Sequence, residues 1–178
     1  LDEFDCYGEH NAPSGTMPES AGRALWRRHS LLGRALLSAS DRRDQLERLM
    51  DPRSFNYRRV AWSLDGDAYA RYGAEGLARA ERFVELLREL LAARGITMTL
   101  VVYPWPQQIL ARDRDSRQVR HWEAYSKAHG VRFVNLFPAF MDGSEPRSVY
   151  QRYFIPGDVH WNNAGHALVA QALLDALK

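Results

Sequence analysis

Near one end of the chain, the run Pro156-Gly157-Asp158-Val159-His160-Trp161-Asn162-Asn163-Ala164-Gly165-His166 sets a carboxylate and an imidazole two residues apart, in a turn that opens onto a helix. In such a turn the carboxylate can accept a hydrogen bond from one imidazole nitrogen, which fixes the tautomer and leaves the other nitrogen outward as a base. A pair of this kind normally serves a nucleophile, so Asp158 and His160 are the candidate catalytic residues. The competing reading is structural: an Asp and a His before a helix often cap it and satisfy nearby backbone groups. His166, in the first helical turn, favours that second reading. Asp158, His160 and His166 are zinc-ligand types, but neither a helical His-x-x-x-His pair nor a fourth ligand accompanies them, so no metal is expected.

The elements that must position this turn follow from periodicity. Ala164, Leu168, Val169, Ala172, Leu173 and Leu177 recur at three- and four-residue steps, the buried stripe of an amphipathic helix, with Asn162 or Asn163 as its N-cap. Upstream, the chain reads as alternating units: a strand over 96–103, a loop over 104–115, a helix over 116–129, a strand over 131–136 and a long loop before the last helix. Strands alternating with helices predict a parallel sheet with helices on both faces. Ligands bind such sheets beyond the C-terminal strand ends, so residues 103–108, 137–142 and 158–162 should share one rim. Earlier still, residues 1–20 read as loop, 21–38 as a helix that extends through an acidic and basic segment to Met50, and Asp51-Pro52 as its end. Residues 55–64 lack a clean alternation and receive no element; Asp65-Gly66 reads as a turn, and 77–93 as the clearest helix, stopped by Gly95. Two parallel strands cannot close a stable doubly wound domain. The sheet therefore needs strands that are missing upstream or donated by another chain.

Composition narrows the partners. The 178 residues are 46% hydrophobic and 26% charged, as in an ordinary soluble globular domain. The formal net charge is +2, and the arginines alternate with acids, as between Arg79 and Arg94, so nucleic acid is not an expected partner. Cys6 is the single cysteine, which excludes an intrachain disulfide and leaves the redox compartment open. No apolar run approaches the ~20 residues that span a bilayer. The chain opens on Leu1 rather than Met, the mark of a processed or trimmed product, and an upstream signal or anchor stays open. A Gly-rich phosphate loop and a dinucleotide fingerprint are both lacking, which sets nucleotide binding aside.

Asp158-Val159-His160-Trp161-Asn162 with Gly165-His166, closing an α/β chain, resembles the last conserved block of the SGNH (GDSL-like) hydrolase superfamily, which includes esterases and polysaccharide O-acetyltransferases. Residues 100–109, LVVYPWPQQI, and 131–140, VRFVNLFPAF, resemble the later strands and rim loops of bacterial SGNH-like proteins of cell-surface polysaccharide modification. The similarity is strongest over these blocks and extends loosely back to about Trp62. It implies a flavodoxin-like three-layer α/β/α fold and a Ser-His-Asp triad without metal or other cofactor. His160 then corresponds to the general base and Asp158 to its orienting carboxylate. The substrate implied is a carbohydrate or small acyl ester, in a periplasmic, extracellular or membrane-associated setting rather than the cytoplasm.

The family's nucleophilic serine belongs to a Gly-Asp-Ser block at the end of the first strand, and this chain has no such block; nor are the Gly and Asn blocks of the oxyanion hole recognisable. This agrees with the strand deficit and favours the C-terminal part of an SGNH domain. Ser14 and Ser20 lie in the loop without a strand-to-helix elbow, and Ser30 falls within the helix over 21–38. Tyr103, Trp105 and Trp161 offer flat faces on which a sugar ring can pack, with Asn162 beside them as a polar contact. Trp105 serves equally well to pack its loop. Gln107 and Gln108 read as exposed groups in contact with water or substrate, and Phe137, Phe140 and Tyr153 as core or as the wall of an acyl pocket. The alternative to an enzyme is a non-catalytic carbohydrate-binding or assembly module that keeps Asp158 and His160 as ligand-binding groups.

Overall fold

The computed structural model describes residues 45–178. The readings for residues 1–44, including the loop, the helix over 21–38, Cys6 and the three serines named above, lie outside the described residues.

Residues 45–50 are helical (α1) and the helix stops at Asp51, as the following Pro52 demands. The segment that showed no alternation is a helix, α2 (Phe55–Leu64). Ser54 starts it, its hydroxyl accepting from the Tyr57 amide at 3.1 Å. Its buried residues are Val60, Ala61 and Ser63, a stripe too short and too polar for hydrophobic periodicity to register. Asp65-Gly66 is a joint between helices rather than a turn. The Asp65 carboxylate accepts from the Ala68 amide at 2.7 Å and caps a run that passes through Gly66–Ala68 and a π-helical Tyr69–Gly73 into α3 (Ala74–Ala92). A methyl group on Gly73 would lie 2.7 Å from Trp62 Cβ, so glycine lets this run pass close to α2. On α3, Leu77 is buried, while Phe83, Leu87 and Leu90 stand exposed.

Strand β1 (Thr99–Val102) pairs in parallel with β2 (Arg132–Asn135), Thr99 opposite Arg132 and Val102 opposite Asn135. Both are shorter than the runs predicted for them. The loop between them holds α4 (Pro106–Leu110), begun by a proline whose fixed φ suits a first helical position. It then leads into α5 (Arg117–His129), which ends at Gly130 in the left-handed region and packs on both strands. Tyr125 of α5 donates to Glu85 of α3 at 2.6 Å. Arg88 and Tyr125 hold the Glu85 carboxyl down at about 2, and burial with the Glu85 carboxylate pushes Tyr125 up to about 12.

The long loop after β2 contains two helices, α6 (Phe137–Phe140) and α7 (Pro146–Tyr153), before the final α8 (Asn163–Leu177). The core gathers one or two side chains from both strands, from α1 and from each of α4 to α8: Val102, Val134, Ile109, Val119, Phe140, Val149, Tyr150 and Val169, with Phe154 just past α7 and Leu46 and Leu49 of α1. Each large apolar side chain buried this way contributes roughly 1.5–3 kcal/mol. The architecture is α/β, and among the described residues the sheet has two strands, neither with a second neighbour. No described helix is long and apolar enough to cross a membrane.

Candidate active site

The loop that carries the carboxylate and the imidazole is pinched at its base. Phe154 and Trp161 form an antiparallel bridge, the Ile155 amide donates to the His160 carbonyl at 2.9 Å, and the Asn162 amide donates to the Tyr153 carbonyl at 3.0 Å. Its tip is a tight turn, closed by the Asp158 amide donating to the Ile155 carbonyl at 3.0 Å, with Pro156 and Gly157 at the centre. Gly157 has φ +79°, a conformation open to glycine at little cost. From beneath, the Tyr150 hydroxyl of α7 accepts from the Gly157 amide at 2.7 Å and lies 3.1 Å and 3.3 Å from the carbonyls of Ile155 and Asp158.

Within this frame His160 Nδ1 sits 2.7 Å from Asp158 Oδ1. The same oxygen accepts from the amides of Val159 and His160. Partial burial pushes the Asp158 carboxyl up, but the hydrogen bonds from the His160 ring and the two amides outweigh it and hold the group below its ordinary value. An ionised carboxylate at Nδ1 selects the tautomer that carries its proton there, so Nε2 is the free, basic nitrogen. The His160 side chain is 77% exposed, which leaves Nε2 open to an incoming group. None of the described serines hydrogen-bonds to His160.

The three rim segments meet through their rings. Tyr103, just past β1, meets Trp161 edge-on with centroids 4.7 Å apart, and Phe140 of α6 lies near-parallel to Trp161 at 6.1 Å. His166 packs edge-on against the same indole, a structural placement. Tyr103 remains exposed and Trp161 half-buried, so both present surface beside the pair. Trp105 is set apart by Arg59, whose guanidinium lies 5.1 Å over its ring and occupies one face.

Two expectations about polar contacts need correction. Asn162 is the N-cap of α8: its Oδ1 accepts from the Gly165 amide at 3.1 Å, and its Nδ2 donates to the carbonyls of Arg152 and Phe154, so the whole amide is spent on structure. Gln107 and Gln108 are 0% exposed rather than in contact with water. Their helix turns inward because Pro106 and Ile109 on it are buried too; tertiary contacts supply partners for the Gln108 amide and for Gln107 Nε2, while Gln107 Oε1 is buried without one. Phe137 and Phe140 are core side chains.

Tyr150 escaped the sequence reading, and Gly165 entered it only as part of the motif. Gly165 has no room for a methyl group, which would fall 2.2 Å from the Tyr153 carbonyl oxygen and 2.8 Å from Trp161 Cβ. The glycine in Asn-Asn-Ala-Gly-His was the available signal. Tyr150 left none beyond its place in a short amphipathic stretch.

Residues 62–178 match the family model described as the SGNH hydrolase-like domain of acetyltransferase AlgX. No curated protein and no solved structure matches the chain. With a Asp-x-His pair on an α/β rim and a family match over most of its length, the chain belongs to the SGNH hydrolase-like family of acetyltransferase AlgX.

Proposed function

We propose that this chain carries the base half of an acyl-transfer site that acts on acetyl esters of a polysaccharide, with His160 as general base and Asp158 as the carboxylate that orients it. The observation that supports the reading best is the 2.7 Å contact between Asp158 Oδ1 and His160 Nδ1, which leaves Nε2 exposed. In this reading a serine hydroxyl attacks the acyl carbonyl while Nε2 takes its proton, and Asp158 stabilises the imidazolium that forms. The alkoxide leaving group then takes that proton back, and an acyl-enzyme remains. Water as acceptor makes the reaction an esterase, whereas a sugar hydroxyl makes it an O-acetyltransferase. The serine comes from outside residues 45–178, on a segment or partner chain that also extends the sheet. Tyr103 and Trp161 give the sugar ring an aromatic wall, with Trp105 as a more distant contact.

A second reading, a polysaccharide-binding module without catalysis, is favoured by one observation: no described serine reaches His160. Fluorophosphonate labelling of this chain and of any longer natural form, with mass mapping of the modified residue, separates the two. Labelling that disappears in His160→Ala is the expected result and identifies the nucleophile. Absence of labelling in both forms overturns the catalytic reading in favour of the binding module.

A further inference from the structure

Tyr150 is 3% exposed, yet its hydroxyl is not a passenger in the core. A buried hydroxyl requires partners, and all of those it has belong to the loop that bears Asp158. It accepts from the Gly157 amide at 2.7 Å and shares its single proton between the Ile155 carbonyl at 3.1 Å and the Asp158 carbonyl at 3.3 Å. Those two carbonyls bracket the Pro156-Gly157 turn, so one oxygen grips both ends and the middle of the tip. The ring is itself fixed, stacked on Phe154 with centroids 5.7 Å apart and carried by α7, which Glu145 caps at its start. Elsewhere the turn is open: Ile155, Pro156 and Gly157 are exposed, with the Gln45 side chain of α1 beside Gly157.

The residue that emerges from this grip is Asp158, and the bond it must make is short, from Oδ1 to His160 Nδ1. From this we infer that Tyr150 is a positioning residue for the Asp158–His160 pair, holding the turn so that the carboxylate stays under the imidazole. The consequence for turnover rests on the reading of His160 as a base, whereas the control of the imidazole does not.

The test uses the whole chain labelled with ¹⁵N, alongside Tyr150→Phe, which deletes the hydroxyl and keeps the ring. In the parent chain the Gly157 amide should exchange slowly with solvent, and in Tyr150→Phe about tenfold faster, the scale of one lost buried hydrogen bond. The ring nitrogen shifts of His160 should report the Nδ1–H tautomer in the parent and move toward a mixture in Tyr150→Phe, as in Asp158→Ala. A merely structural role predicts a lower Tm with the His160 tautomer unchanged in the folded protein, and that result overturns the inference. Should Tyr150→Phe fail to fold, the parent decides alone: protection of the Gly157 amide supports the inference, and exchange at the rate of an exposed loop amide overturns it. Turnover that survives His160→Ala would sink the catalytic reading while leaving the tautomer result to judge Tyr150.

Discussion

Gln107 and Gln108 are sealed from water on α4, while Asp158 and His160 stand in it, with side chains 44% and 77% exposed. Both pairs are polar and both are hydrogen-bonded, but the bonds are distributed differently. Gln108 spends its amide on three elements: Oε1 accepts from the Trp105 amide at 2.9 Å, and Nε2 donates to Ser116 at the start of α5 and to Ser63 of α2. Gln107 donates to the Leu49 carbonyl of α1 at 3.2 Å. These bonds tie helices together, and in a place without water they are expensive to leave unmade. The Asp158–His160 pair instead uses one ring nitrogen to fix the orientation of the other and leaves that other nitrogen without a partner. Bonding capacity that is oriented, exposed and unspent distinguishes a candidate site from scaffold, even where the scaffold holds more polar atoms.

If that contrast is right, the two pairs must fail differently. His160→Ala in the form of the protein that turns over acetyl esters should cost about 10³–10⁴-fold in kcat, with stability lowered by less than about 1 kcal/mol, the scale of an exposed pair. Retained turnover would place His160 with the scaffold. Gln108→Ala should do the reverse: it opens a cavity and takes the partner from the buried Ser116 hydroxyl and from the Trp105 amide, for a loss of about 2–4 kcal/mol in urea unfolding. The activity per folded molecule should persist. A Gln108→Ala variant with unchanged stability would break the comparison from the other side.

The same contrast explains what could be read from the sequence. Asp158, His160 and the Asn162 cap were legible because they are local: two residues of spacing make the pair, and three residues join Asn162 Oδ1 to the Gly165 amide. The helices α3, α5 and α8 were legible because they are long enough to repeat a period. By contrast α4, α6 and α7 span 5, 4 and 8 residues, at most about two helical turns, so no periodicity accumulates, and their prolines read as loop signals although each stands at a helix start. The burial of Gln108 depends on Ser63, 45 positions away, and no local pattern encodes a partner at that distance. Tyr150 is an intermediate case. Its partners are five to eight residues ahead, but they matter through the fold of a turn that the sequence showed only as Pro-Gly.

The smallest expected effect concerns acid. The Asp158 carboxyl titrates below its unfolded value of about 3.9, so the native state holds the ionised form more firmly than the unfolded chain does. Its contribution to stability is therefore complete above the unfolded value and fades as pH falls through the lower, native one. Because the pair is exposed, that contribution is under about 1 kcal/mol. Gln108 has no titrating group, so its contribution carries no such dependence of its own. Urea midpoints from about pH 3 to about pH 7 should then show the parent and Asp158→Ala converging at the acid end, while the gap between the parent and Gln108→Ala stays constant. An Asp158→Ala gap that is equally flat would mean that the carboxylate gains nothing from the His160 ring or the loop amides in the native state, and the pair would lose the feature that sets it apart from the buried glutamines.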